Sequence, residues 1–155
     1  DQVRVNLGLT YGISSFFFLR LDRGPFVIST FTKNASVGAA IRETPSVYKK
    51  FVTEGVTKEE VDGSKNYLKG TFPRAIETPE RLGFNLALLR LYGVSDDYLK
   101  NFVSSVDHLS VADVNEAIKK YFPKDSLKVL VLTKKADTLE QVRPFGLVEV
   151  KSFNP

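Results

Sequence analysis

The stretch "FVTEGVTKEEVDGSKNYLKGTFPRAIETPERLG", Phe51 to Gly83, sets the reading of the whole chain. Gly55 closes one helix. Thr57 and Glu60 then form a capping box, the threonine capping while the glutamate reaches back. Val61, Leu68 and Phe72 fall on one stripe, and Pro73 ends that segment. Thr78-Pro79-Glu80 opens another helix with a cap, a proline at the first helical position and an early acid. Leu82, Leu86 and Leu89 make its stripe, and Gly93 terminates it.

Toward the N-terminus, residues 35–53 read as a long helix carrying Val37, Ile41, Val47, Tyr48, Phe51 and Val52. Pro45 interrupts this pattern. An interior proline costs about 3 kcal/mol, so a kink or break is expected there. Further upstream lies a hairpin. Residues 10–21 alternate in the manner of a strand, and large apolar groups occupy both faces. Its middle is therefore expected to be covered on both sides. Asp22-Arg23-Gly24 is the turn, and Pro25 starts a second strand over residues 26–32. "VRVNLGLTYG", Val3 to Gly12, leads into the hairpin. Gly8 permits a turn that would bring Arg4 toward Tyr11.

Toward the C-terminus, a short helix starts at Ser95 or Asp96 and runs through Val106. Ser110 to Asp113 opens the next, with Val111, Val114, Ile118 and Tyr121 facing inward and Pro123 closing it. "LKVLVLT", Leu127 to Thr133, reads as a buried strand, and "GLVEVKSF", Gly146 to Phe153, as an edge strand. The inventory is three or four strands against about five helices. Those helices must bury their stripes against something, and so few strands make a thin platform. A larger α+β domain is expected, with further strands upstream of Asp1. No internal linker divides the chain, so residues 1–155 read as a single domain.

Composition narrows the function classes. The net charge is +4 and the lysines are scattered, which favours a solvated surface over a nucleic-acid patch. "RGPFVIS", Arg23 to Ser29, partly matches an RNA-binding strand, but Pro25 replaces an aromatic and the spacing is one residue short. A hairpin turn is the better reading. No apolar run approaches the roughly 20 residues of a membrane span. There is no signal peptide in view, and the chain opens directly on patterned sequence, so its true start is expected upstream.

There is no cysteine, hence no thiol nucleophile, and His108 is the single histidine. A catalytic zinc centre normally takes three protein ligands. A serine triad would need that same histidine, and no G-x-S-x-G precedes a helix. His108 is therefore expected to be structural or solvent-facing. Glu59-Glu60 and Asp96-Asp97 stand at helix starts, where the helix dipole accounts for them.

Arg4, Gly8, Leu9 and Tyr11 together resemble the R…G-L-x-Y element in the second half of pitrilysin-type zinc peptidases, the insulinase or M16 family. The hairpin and long helix follow in order. Phe51 to Gly83 then resembles the family's E-G-[VI]-T-x-E-E-L…L-x-G-x-F…E-T-P-x-x-L pattern. "LSVADVNEAIKKYFPKDSLKVLVL" is similar to its closing helix and strand.

The resemblance covers nearly the whole chain and implies an α+β fold of ferredoxin-like topology. A mostly antiparallel sheet has helices packed on one face, and an N-terminal strand–helix portion is missing. It further implies a division of labour. Zinc, bound by an H-x-x-E-H motif, belongs to another domain of the same parent chain or to a partner subunit, and this chain binds no cofactor itself. Arg4 and Tyr11 match the arginine–tyrosine pair that holds an extended peptide substrate and stabilises the transition state. No nucleic-acid or membrane partner is implied. Val5 stands where the family often has an acid and Leu7 where it often has a basic or polar residue. An inactive scaffold or assembly domain is thus the alternative. An isolated piece with an open sheet edge is also expected to self-associate.

Overall fold

The computed structural model describes residues 3, 8–123 and 127–152. Among them are two strands, β1 (Ile13–Phe17) and β2 (Phe26–Thr30), and six α-helices. These are α1 (Val37–Glu54), α2 (Lys58–Ala75), α3 (Pro79–Leu91), α4 (Asp97–His108), α5 (Val111–Tyr121) and α6 (Lys135–Val142). The class is α+β with an antiparallel sheet, as the sequence implies. The chain divides into two compact units. One comprises Asp1–Phe18, Gly24–Thr53 and Pro123–Pro155, and the other Leu19–Arg23 and Glu54–Phe122.

In the first unit, β1 and β2 pair antiparallel, with Ile13 opposite Thr30 and Phe17 opposite Phe26. Pairing continues into the turn, where Phe18 N–H donates to Pro25 O at 3.0 Å. Gly24 is required there, since a Cβ would lie 1.7 Å from Phe18 O. The Phe17 and Phe26 rings are 5.1 Å apart, and Phe26 stacks on Tyr48 of α1 at 5.8 Å. The Tyr48 hydroxyl donates to Pro123 O at 2.7 Å. Its burial pushes the phenol pKa up, which keeps it a neutral donor.

Helix α1 is one element running through Pro45, so the expected break does not occur. Pro45 removes one helical N–H, but buried residues lie on both sides of it: Val37 and Ala40 before, Tyr48 and Val52 after. Packing on both sides outweighs the local cost. Beside the proline, the Thr44 hydroxyl oxygen is shielded from solvent and has no hydrogen-bond partner among the described residues.

Helix α6 has no counterpart in the sequence reading. Tertiary bonds hold it. Gln141 Oε1 accepts from Gly38 N–H at 3.1 Å in the first turn of α1, and its Nε2 donates to Asn34 O at 2.9 Å. Asn34 Nδ2 in turn donates to Asp137 Oδ2 at 2.7 Å.

Three expectations about strands are corrected. Residues 127–133 form no strand, and Leu130 is 97% exposed rather than buried. Residues 146–152 form none either, and Leu147 is fully exposed. High β-propensity makes no ladder without a neighbour to bond. The middle of β1 is not covered on both sides, for Phe16 and Phe17 are each two-fifths exposed. The ladder from Phe17 through Phe26 to Tyr48 brings helical packing to the face that carries Phe17.

The second unit is helical, and its starts follow the sequence. Thr57 Oγ1 accepts from Glu60 N–H while Glu60 Oε2 accepts from Thr57 N–H at 2.9 Å, completing the capping box. Thr78 and Ser110 cap α3 and α5. Pro73 lies in the last turn of α2 instead of ending it. Helices α2 and α4 meet where the Phe72 and Phe102 rings stack at 4.3 Å, and Lys69 pairs with Asp107 at 2.6 Å. Helix α3 buries none of its residues fully. On α5, Ile118 is buried, but Tyr121 is exposed where an inward position was expected.

Candidate functional site

The segment entering β1 is where the sequence places the candidate pair. Gly8 adopts φ +60°, a conformation glycine reaches without strain. Just past it, Leu9 N–H donates to Val3 O at 3.2 Å, so Val3 and Leu9 are held together. Arg4 lies outside the described residues.

Tyr11 is described, and it is 83% exposed. The residue before it is the opposite: Thr10 is buried. Thr10 Oγ1 accepts from Gly12 N–H at 3.1 Å and lies 2.6 Å from Phe31 O. The Thr30 hydroxyl lies 3.0 Å from both Thr10 Oγ1 and Gly12 O. The Thr32 hydroxyl donates to Leu9 O. The backbone on both sides of Tyr11 is thereby bonded to the end of β2 and the residues just past it, while its side chain is largely exposed. The phenol can donate one hydrogen bond and accept others.

Sequence reasoning found Tyr11 but not Thr10. The partners of Thr10 lie about twenty residues away, and a lone threonine before a strand carries no periodic signal. On the outer face of the same hairpin, Phe16 and Phe18 meet edge to face at 5.1 Å, and Phe31 is exposed. Arg23 to Ser29 forms the end of the hairpin turn and part of β2, as expected.

The other candidates have structural accounts. His108 ends α4, and its Nδ1 donates to Ser104 O at 2.6 Å. Glu60 belongs to the capping box of α2. Asp96 receives two bonds from the Arg90 guanidinium, at 2.8 and 3.2 Å, which hold its carboxyl below the usual range. Asp97 pairs with Lys100 at 2.8 Å. The donor set does not fit a zinc centre. The chain has one histidine and no cysteine, and no three His, Cys, Asp or Glu side chains gather closely enough among the described residues.

Known proteins corroborate the resemblance. Residues 1–68 match the family model described as the peptidase M16 inactive domain. A solved peptidase M16 inactive domain from Pseudomonas fluorescens matches with a TM-score of 0.72 at 27% identity. The match covers 80% of this chain and 29% of that one, so the chain spans less than a third of that relative's length. No curated protein matches the chain. The chain is thus similar in fold to an M16 inactive domain, and its first 68 residues match that family's model.

Proposed function

We propose that this M16-type inactive domain is the substrate-binding, zinc-less half of a metalloendopeptidase. It works with a zinc-bearing H-x-x-E-H domain, in the same parent chain or in a partner subunit, to hydrolyse extended peptides. The observation that carries the reading is Tyr11, an aromatic side chain largely presented to solvent from a backbone bonded on both sides.

Arg4 brings permanent charge and a fixed fork of donors, and Tyr11 one positioned O–H. Directed at a scissile carbonyl, the two would hold the peptide and stabilise the charge developing on its oxygen. Hydrolysis itself would belong to the zinc-bearing domain, in keeping with the single histidine of this chain and with the lack of a cluster of metal donors among the described residues.

The test pairs the full parent protein, or this chain with its zinc-bearing partner, with an unstructured fluorogenic peptide and zinc. Tyr11→Phe and Arg4→Ala should each lower kcat/KM about 100-fold, the usual loss for one oxyanion donor. Undiminished turnover in both variants overturns the role given to the pair. A second reading is an inactive scaffold, favoured by Val5 and Leu7 at positions where the family often carries charged or polar groups. It predicts no H-x-x-E-H upstream of Asp1 or in the neighbouring reading frame.

A further inference from the structure

We propose that Thr10, together with Thr30, is a positioning residue that aims Tyr11. The inference rests on the reading of Tyr11 as a substrate-holding group. An 83% exposed side chain has almost no packing of its own to fix it. Its direction must come from its backbone, and the backbone here is tied by hydroxyls. Thr10 Oγ1 accepts from Gly12 N–H at 3.1 Å and has its single proton for Phe31 O at 2.6 Å. Gly12 O also lies 2.8 Å from Thr10 Oγ1, and with the Thr10 proton on the shorter bond to Phe31 O it accepts from the Thr30 hydroxyl at 3.0 Å, which closes the set. Each hydroxyl donates once, and every donor has an acceptor.

The arrangement has a second support. Thr30 and Thr32 stand two residues apart, the strand repeat, and bracket Tyr11: one bonds Gly12 O after it and the other Leu9 O before it. Phe31 O between them takes the Thr10 proton. The residues flanking Tyr11 therefore move with the end of β2. Small misplacements of a reacting group are costly, about 100-fold for 1 Å. A valine at position 10 keeps the shape and removes the bonds.

The experiment is a double-mutant cycle on the full parent protein with its zinc-bearing domain, using the same fluorogenic peptide. Thr10→Val should lower kcat about tenfold with KM changed less than about threefold. Thr10→Ser, which restores the hydroxyl, should return kcat to within about twofold of the parent. In a Tyr11→Phe background, Thr10→Val should cost nothing further, because no phenol hydroxyl remains to aim.

A Thr10→Val loss of equal size in both backgrounds, or no recovery with Thr10→Ser, overturns the proposal and leaves a structural threonine. If Tyr11→Phe lowers turnover and Thr10→Val does not, the positioning role fails while Tyr11 keeps its own. If Tyr11→Phe is silent, the reading of Tyr11 itself fails, and the proposal with it. Should Thr10→Val not fold, Thr30→Val, which deletes only the outer hydroxyl, runs through the same cycle. Its outcome is then decisive by the same criterion.

Discussion

Asn115 satisfies both backbone polar groups of Val56. Its Oδ1 accepts from Val56 N–H at 2.8 Å and its Nδ2 donates to Val56 O at 3.2 Å. One side chain on α5 thus replaces the strand or helix that the segment before α2 lacks. Asn115→Ala leaves two half-buried backbone groups without a partner and should cost about 1–3 kcal/mol. Urea unfolding at unchanged slope measures it. A loss under half that size would mean that water serves Val56 equally well.

Gly55 beside it should tolerate no side chain. Its φ is +77°, and a Cβ would lie 2.2 Å from Asn115 Oδ1. Gly55→Ala is expected to destabilise by more than about 1 kcal/mol, from backbone strain and displaced amide together. The two changes should be non-additive, since both break the same contact.

Gly24→Ala places a methyl group against Phe18 O in the hairpin turn, where backbone cannot yield cheaply. The expected cost is about 1–3 kcal/mol. Amide exchange should rise first at Phe18, whose N–H donates to Pro25 O. Unchanged protection of that amide would contradict the turn geometry.

Thr44→Val should stabilise the chain by about 1 kcal/mol. It removes a shielded hydroxyl oxygen without a partner and keeps the β-branched shape. A fall in the urea midpoint would show that the hydroxyl bonds something in solution.

Acid should loosen the second unit. Asp113 accepts from the Ser110 hydroxyl at 2.6 Å and from Ser110 N–H at 2.7 Å, and these bonds hold its carboxyl below its ordinary 3.8. The Lys69 ammonium does the same for Asp107. A carboxyl lowered by folding contributes its stability fully above the unfolded value and loses it as pH falls through the folded one. Tm should therefore hold from neutrality to about pH 5 and drop below about pH 4. Ser110→Ala removes the largest cause at Asp113, so the acid slope should flatten in that variant. An equal slope would assign the acid sensitivity elsewhere.

The readable parts of this fold are those decided within four residues. Thr57 with Glu60, Thr78 with Pro79 and Ser110 with Asp113 each close on neighbours, and each capped its helix where the sequence put it. The D-R-G-P turn is of the same kind. What misled was propensity without a partner. "LKVLVLT" has the composition of a strand and pairs with nothing among the described residues. Pro45 misled in the other direction, because the buried residues around it cannot be weighed from the pattern alone. Helix α6 went unseen because Asn34 and Gln141 define it across about a hundred residues. At the candidate site, Tyr11 came from the ordered resemblance, whereas the threonines behind it needed the register of β1 on β2.

The bond from Gly38 N–H to Gln141 spans 103 positions, and it has a consequence for biosynthesis. A ribosome adding about 5–20 residues per second needs roughly 5–20 s to pass from one partner to the other. Throughout that interval the first turn of α1 has only water for that donor. The stretch made in between, Glu54–Phe122, is the contiguous bulk of the other unit and contains its own caps and aromatic stacking. The unit begun first is therefore finished last, and a nascent chain stalled before Gln141 should present the start of α1 frayed and open to proteases.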